Sequence, residues 1–424
     1  MAKERRDSKN RILNKGEYQK SDGRYMYRFK DECGIERFVY SWTLTQTDRA
    51  PKGKHSDKCL REMEMDIAKD LLNGVNIYSA NSLTLNDFWD KYINEKIELK
   101  PSTRNDYIIR YNAKVRPSIG MRKISQIKHS DIKLFYNSLL SQGMKVSSLT
   151  CIQIMLHPVF EIAIKDDYIR SNPTSGVMRY FKKRKEEEET KRHALTEDEQ
   201  EAFITYIKNH PIYSKHALIF TILLGTGCRI GEALALSWQD CDFENEVINV
   251  KNNLTYFKNM KTGVYEIHIQ TPKSKAGIRQ IPMFKDVKRA LLKEYMVQME
   301  HGFSDLIIDN CSGFIFCNKS GGKTITNNVQ RALKNIIRSY NVHETNQSQK
   351  EHRAPLLLPN FSPHILRHTF CTRLCENGVN IKVVQEIMGH SDISTTMNIY
   401  NEATLKKKKE AFSELEGKIQ VCCG

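Results

Sequence analysis

Six side chains in the second half of the chain are of types that together can break a phosphodiester: Arg229, Lys275, His364, Arg367, His390 and Tyr400. Without a metal, that cleavage needs a nucleophile, cations against the equatorial phosphate oxygens, and an acid for the departing 5′ oxygen. The residues fall in four separated segments: TGCRIGE (226–232), TPKSKAGIRQIPM (271–283), PHILRHTF (363–370) and MGHSDISTTMNIY (388–400).

Each requirement has an occupant. Arg229 follows a Gly225/Gly227 turn and opens a helix, where its planar fork can meet two phosphate oxygens and Glu232, one turn on, can hold it. Ser362 caps and Pro363 opens a later helix, so His364 and Arg367, three residues apart, share one face. Lys275 sits at a flexible β-turn, from which a compact ammonium can protonate a leaving alkoxide; Lys273 offers the same group two positions earlier. His390 follows Gly389, a helix C-cap, and can donate a hydrogen bond to a phosphate oxygen. The phenol of Tyr400 has an ordinary pKa near 10 and is a poor nucleophile in water, but adjacent cations stabilise its phenolate. A phosphotyrosine would store the bond energy, so rejoining needs no ATP, cofactor or metal. Taken singly, these residues have plain structural readings: a salt-bridged surface arginine, a structural histidine, a packing tyrosine. Their order and spacing carry the argument.

The elements that must position them follow from pattern. Thr196 and Glu199 form a capping box that opens a predominantly helical domain. EVINV, VYEIHIQ and IRQIPM read as three β segments, with the turn KSKAG between the second and third, and helices resume near Phe284. In the tail, Phe412, Leu415 and Ile419 stand at helical spacing, a narrow apolar stripe suited to docking. Upstream, KKRKEEEETKR (182–192) has blocks of opposite charge and nothing to bury, so residues 181–192 read as an exposed linker. Residues 83–180 are helical in pattern, four or five short helices with a Pro-led start at Ser102 and an end at Asn172-Pro173.

Residues 1–54 carry fourteen lysines and arginines against eight acidic residues and interleave them with aromatics. YMYRFK (25–30) and ERFVYSWTL (36–44) alternate about Cys33-Gly34 as a small antiparallel sheet; a helix capped by Ser56 and ended by Asn73-Gly74 closes this unit near residue 75. Such a surface suits phosphates, with Arg24, Tyr25, Tyr27, Arg28, Lys30, Arg37, Tyr40, Trp42 and Lys54 as the expected contacts, and Arg104 and Lys273 further along. A solvated hairpin with snorkelling lysines fits those residues as well.

Composition bounds the rest. At 424 residues the chain is too long for one core and fits two large domains with a small third. Lysine and arginine number 66 against 50 acidic residues, a formal charge of +16 that attracts polyanions. The 11 cysteines are odd in number and lack any paired CxxC spacing, which points to a reducing cytoplasm; Cys371 and Cys375 read as packing residues. The charged start MAKERRDSKNR precedes no apolar run and no stretch approaches the ~20 apolar residues of a span, so secretion and membrane insertion are not expected.

The series R…K…HxxR…H…Y resembles the catalytic signature of the tyrosine recombinases. TGCRIGEALAL, PHILRHTFCTRL and MGHSDISTTMNIY stand in that family's order across residues 190–410, and GRYMYRFKDECGIERFVYSWTLTQTDRAPKGK is similar to the arm-binding domain of conjugative-transposon integrases from Gram-positive bacteria. The resemblance implies a multidomain, mainly α chain. A three-stranded antiparallel arm-type DNA-binding domain (1–75) is followed by a SAM-like helical core-binding domain (83–180). A mainly α catalytic domain with a small antiparallel sheet, the DNA breaking-rejoining fold, occupies 193–424, with a tail from about 401 docking in trans. It further implies that Arg229, Arg367, His364 and His390 hold the scissile phosphate, that Tyr400 attacks it, and that Lys275 rather than Lys273 matches the β-turn lysine. In many relatives the tyrosine lies nine residues beyond the second histidine; here ten separate them. Implied partners are duplex DNA at core and arm sites and three further copies in a tetramer that passes through a Holliday junction. An excisionase or DNA-bending host protein would also fit, with bacterial cytoplasm and nucleoid as the location. Two other readings remain: a non-enzymatic DNA-binding regulator, and a type IB topoisomerase that relaxes DNA without exchanging strands.

Overall fold

The computed structural model describes residues 5–30, 36–72, 83–181, 193–259, 262–272, 274–318 and 321–401. The expected Cys33-Gly34 turn, the Asn73-Gly74 helix stop, the linker at 182–192, Lys273 and the tail from 402 lie outside the described residues. The chain divides into two compact units, Met1–Thr190 and Lys191–Gly424.

The first unit opens with an antiparallel sheet in the order β1 (Glu17–Gln19), β2 (Tyr25–Lys30), β3 (Glu36–Ser41). Period-two alternation sorts its side chains, and the register sets Tyr25, Tyr27 and Phe29 on one face and Met26, Arg28 and Lys30 on the other. Tyr25 packs with Leu13, Leu44 and Leu60, the last opening helix α1 (Leu60–Leu72). Ser56 does not cap α1: its hydroxyl accepts the backbone N–H of Trp42 at 2.8 Å, and Glu62 instead accepts the N–H of Cys59.

Four α-helices follow among the described residues: α2 (Leu85–Glu95), α3 (Pro101–Arg110), α4 (His129–Ser141) and α5 (Val146–Lys165). Thr84 and Asp87 form a capping box at α2. Pro101 takes the first position of α3, where its missing N–H costs nothing; Ser102 lies inside the helix rather than at its cap. In α5, Leu149, Ile152, Leu156, Val159, Phe160 and Ala163 repeat at three and four residues and are all buried. This helix is apolar and long enough to cross a membrane by composition, but that face is core. Trp89 stacks on Tyr111, ring centroids 4.1 Å apart, and the Tyr111 hydroxyl donates to Asn86 Oδ1.

In the second unit, α6 (Glu197–Asn209) begins on the Thr196/Glu199 capping box. The nearly all-apolar α7 (Ala217–Thr226) forms the centre and ends at Gly227 in the left-handed region; α8 (Ile230–Ala235) starts three residues on. The three anticipated β segments exist as β5 (Val247–Val250), β7 (Tyr265–Gln270) and β8 (Arg279–Pro282), but not as one sheet. β5 lies between β4 (Cys241–Asp242) and β8, whereas β7 pairs with β6 (Asn253–Lys258), a strand whose sequence NLTYFK gave no clear alternation. β7 and β8 therefore belong to different sheets and do not pair with each other. α9 (Lys285–His301), α10 (Thr326–Lys350), α11 (Pro363–Glu376) and α12 (Ile381–Met388) complete the unit, and residues 393–401 form a further helix.

Candidate active site

The site is built on two glycine-terminated helices. Gly227 ends α7 and Gly389 ends α12, both at φ +62°, a conformation that costs glycine little and other residues more. Neither position has room for a side chain: a Cβ on Gly227 would lie 2.4 Å from Phe370 Cδ1, and one on Gly389 would lie 2.7 Å from the carbonyl oxygen of Ala276.

Arg229 is the N-cap of α8, and Glu232 answers it at short range. The Arg229 backbone N–H donates to Glu232 Oε2 at 2.9 Å and its Nη1 to Oε1 at 2.7 Å, while Nη2 points to the Gly389 carbonyl at 3.4 Å. Its side chain remains 41% exposed, enough to offer donors to a ligand, whereas Glu232 is buried. Burial pushes the Glu232 carboxyl up, but the guanidinium of Arg279 beside it, together with Arg229, holds it below the usual carboxylate value.

Arg367 descends from α11 into the interior. Its Nη1 donates to the Gly227 carbonyl at 2.6 Å and its Nη2 to the Met388 carbonyl, so its fork ties the ends of α7 and α12 together. Burial and the neighbouring Arg229 push its pKa down to about 10, which leaves it charged at neutral pH. Ser362 occupies the N-cap of α11 without a side-chain capping bond, and Pro363 is the first helical residue. On that first turn His364 is exposed, and it is among the groups whose electrostatics lower the pKa of His390.

His390 follows the Gly389 cap. Its Nδ1 is 2.9 Å from the hydroxyl of the buried Thr396, and burial reinforced by Arg367, Arg229 and Arg279 pushes its pKa down to about 4. It is therefore a neutral imidazole. Lys275 is exposed and begins the single 3₁₀ turn Lys275–Gly277. Tyr400 is half-buried and packs on Phe370, Cys371, Cys375, Val384 and Met388, the cluster that also flanks Gly227 and supplies the Met388 carbonyl.

Two participants escape the residue-by-residue reading. Arg279 is almost wholly buried and donates to Glu232 Oε2 at 2.9 Å and to the Ile387 carbonyl at 2.6 Å, making a third guanidinium beneath the site. Its only signal was its place in IRQIPM, two positions before a buried isoleucine. Thr396 had none beyond its interval from His390.

In the N-terminal sheet the expected contacts separate. Tyr25 is a core residue, 3% exposed, its hydroxyl bonded to Asp7 and receiving Arg11, so its placement argues against a DNA contact; Tyr27 is half-buried against the same cluster, and Arg37 is half-buried in register with the buried Phe29. Arg28, Lys30 and Tyr40 lie in register on the open face. There Lys20 and Arg24 sit over the Tyr40 ring at 4.6 and 5.6 Å, and Lys54 and Arg24 over Trp42 at 5.2 and 5.6 Å. Arg104, on α3, points to Asn94 Oδ1 at 3.3 Å.

A buried carboxylate binding Arg229 and Arg279, a neutral imidazole and a tyrosine on the adjoining cluster are the groups the fold brings to this place. The chain belongs to the phage integrase family, whose model matches residues 193–407. The model for the DNA-binding domain of Tn916 integrase matches residues 1–71, and that for the N-terminal SAM-like domain of phage integrases matches 84–140. The chain is 33% identical to the transposase from transposon Tn1545 of Streptococcus agalactiae over 420 residues, covering 99% of this chain and 98% of the relative. Against the transposase from transposon Tn916 of Enterococcus faecalis the identity is 32%, with the same coverage. Among solved structures, the Tn1549 transposon integrase in complex with transposon right end DNA superposes with a TM-score of 0.65 at 30% identity, covering 79% of this chain and all of that one.

Proposed function

We propose that this recombinase excises and integrates a conjugative transposon by cleaving and rejoining duplex DNA at specific sites. The observation that carries this reading is the Glu232 node, which holds Arg229 toward solvent while Arg367 and His390 close the cradle behind it. Arg229, Arg367, His364 and His390 hold the scissile phosphate. Tyr400 Oη attacks phosphorus as its proton leaves to water, the P–O5′ bond breaks, and Lys275 Nζ gives a proton to the departing oxygen. The product is a 3′-phosphotyrosine and a free 5′ hydroxyl; attack by a 5′ hydroxyl from the partner duplex reverses the step. Lys273 is the alternative acid.

Residues 1–75 bind arm sites through the open face of the sheet, 83–180 bind the core site, 181–192 link them to the catalytic domain at 193–424, and four copies assemble on two sites in the bacterial cytoplasm, at the nucleoid. An excisionase or DNA-bending protein sets direction. The tail beyond 401 docks on a neighbouring copy. An apolar cavity of about 560 Å³, lined in part by Ile204, Leu224, Val287, Phe370, Leu374 and Val379, supports this. A protein truncated at 401 that assembles and alternates cleavage normally would remove that element.

A suicide DNA substrate tests the chemistry. Wild type is expected to form a covalent adduct, and Tyr400→Phe to bind the same DNA without one; an adduct with Tyr400→Phe overturns the reading. Supercoil relaxation at many sites, without partner exchange, would instead indicate a topoisomerase.

A further inference from the structure

Arg279 makes three hydrogen bonds, each to a different part of the site. Its Nη2 donates to Glu232 Oε2 at 2.9 Å, its Nε to the Ile387 carbonyl at 2.6 Å, and its Nη1 to the Gly277 carbonyl at 3.0 Å. The first partner also binds Arg229, the second lies three residues before His390, and the third closes the turn that begins with Lys275. Within the turn itself, the Gly277 N–H donates to the Ser274 carbonyl and the Ile278 N–H to the Lys275 carbonyl. Gly277 packs where a Cβ would meet Pro272 at 2.4 Å, and Gly389 packs where a Cβ would meet Ala276 O at 2.7 Å and Arg279 Cδ at 3.0 Å. The lysine turn and the loop bearing His390 therefore lie back to back with the Arg279 side chain joining them. A lysine in its place has no fork and could not serve three acceptors in these directions.

The geometry points to Arg279 as a positioning residue that sets where Lys275 stands relative to the phosphate cradle, and so governs protonation of the leaving 5′ oxygen. All three of its hydrogen bonds go to protein atoms, so it acts through the turn rather than on the reacting atoms. This inference rests on Lys275 being the acid, as proposed above. A general acid raises the rate on the order of 10²–10⁴-fold, and the gain depends on reach to its proton acceptor. Displacing the acid slows only departure of a poor leaving group. Disturbing the phosphate cradle slows cleavage whatever leaves.

A substrate in which sulfur replaces the bridging 5′ oxygen separates these effects, because a thiolate departs without a proton. Single-turnover cleavage by the full chain is measured on the oxygen and sulfur substrates for wild type, Lys275→Ala, Arg279→Gln, Arg279→Lys and Arg229→Lys. The sulfur-to-oxygen ratio is taken within one preparation, so any loss of folded protein cancels. Arg279→Gln and Arg279→Lys are expected to lose roughly 10- to 100-fold on oxygen and to recover most of it on sulfur, a smaller version of the Lys275→Ala pattern. Arg229→Lys should be slow on both. Equal losses on both substrates for the Arg279 variants, with Lys275→Ala recovered by sulfur, overturn the inference and leave the acid assignment standing. Failure of sulfur to recover Lys275→Ala removes the acid assignment, and the inference with it.

Discussion

Arg367 reaches across 140 positions of chain to set its Nη1 2.6 Å from the carbonyl oxygen of Gly227. The carbonyl points there because Gly227 is left-handed, and the guanidinium arrives because α11 packs against α7. A buried guanidinium thus owes its place to a backbone conformation in another segment.

Gly227→Ala should therefore harm both stability and chemistry. The new Cβ meets a backbone at φ +62° and Phe370 at 2.4 Å, and strain with overpacking costs on the order of 2–4 kcal/mol. Thermal unfolding of the full chain should show the catalytic unit melting several degrees lower, and the folded fraction should cleave a suicide substrate more slowly. Wild-type melting with wild-type cleavage would contradict the account.

Glu232→Gln keeps the shape but removes the carboxylate that pairs with Arg229, Arg279 and Arg367. Leaving buried guanidinium groups without their counter-charge costs about 3–5 kcal/mol. Urea denaturation measures the loss directly. Unchanged stability would mean the arginines find other anions.

His390 supplies a pH dependence with a definite sign. Its folded-state pKa, about 4, lies below the ordinary 6.5, so between those values the unfolded chain takes up a proton that the native site refuses. Its stabilising contribution is complete above pH 6.5 and is lost as pH falls toward 4. Ring resonances of His390 in the DNA-free protein should stay those of a neutral imidazole down to about pH 5. A midpoint near 6.5 would show that neither burial nor the three arginines act on it.

In the N-terminal sheet, Tyr25→Phe and Tyr40→Ala should separate folding from binding. Removing the Tyr25 hydroxyl leaves Asp7 and Arg11 each short of a buried partner, at about 1–3 kcal/mol, without weakening DNA binding by the folded protein. Tyr40, 41% exposed beneath Lys20 and Arg24, should show the reverse: unchanged melting and weaker affinity for arm-site DNA. Titrations with labelled duplex, paired with melting curves, decide between them.

Much of this protein follows from short stretches of its chain. The Thr196/Glu199 cap, the helix opened by Arg229 and its bond to Glu232, the Gly389 stop and the alternation of β2 all arise within one turn or one strand, where spacing dictates which groups can meet. The six residues proposed to act on the phosphate stand out in the chain by type and order.

Tertiary structure alone decided the pairing of β5 with β8 rather than β7 with β8, the turning of Tyr25 into the core, and the placement of Arg279 and Thr396. The acceptors that place Arg367 and Arg279 are backbone carbonyls of Gly227, Met388, Ile387 and Gly277. Every residue carries such a carbonyl, so none is marked in the sequence. Gly227 and Ile387 lie more than a hundred positions from the guanidinium they meet, and such a meeting is set only when the helices and strands pack.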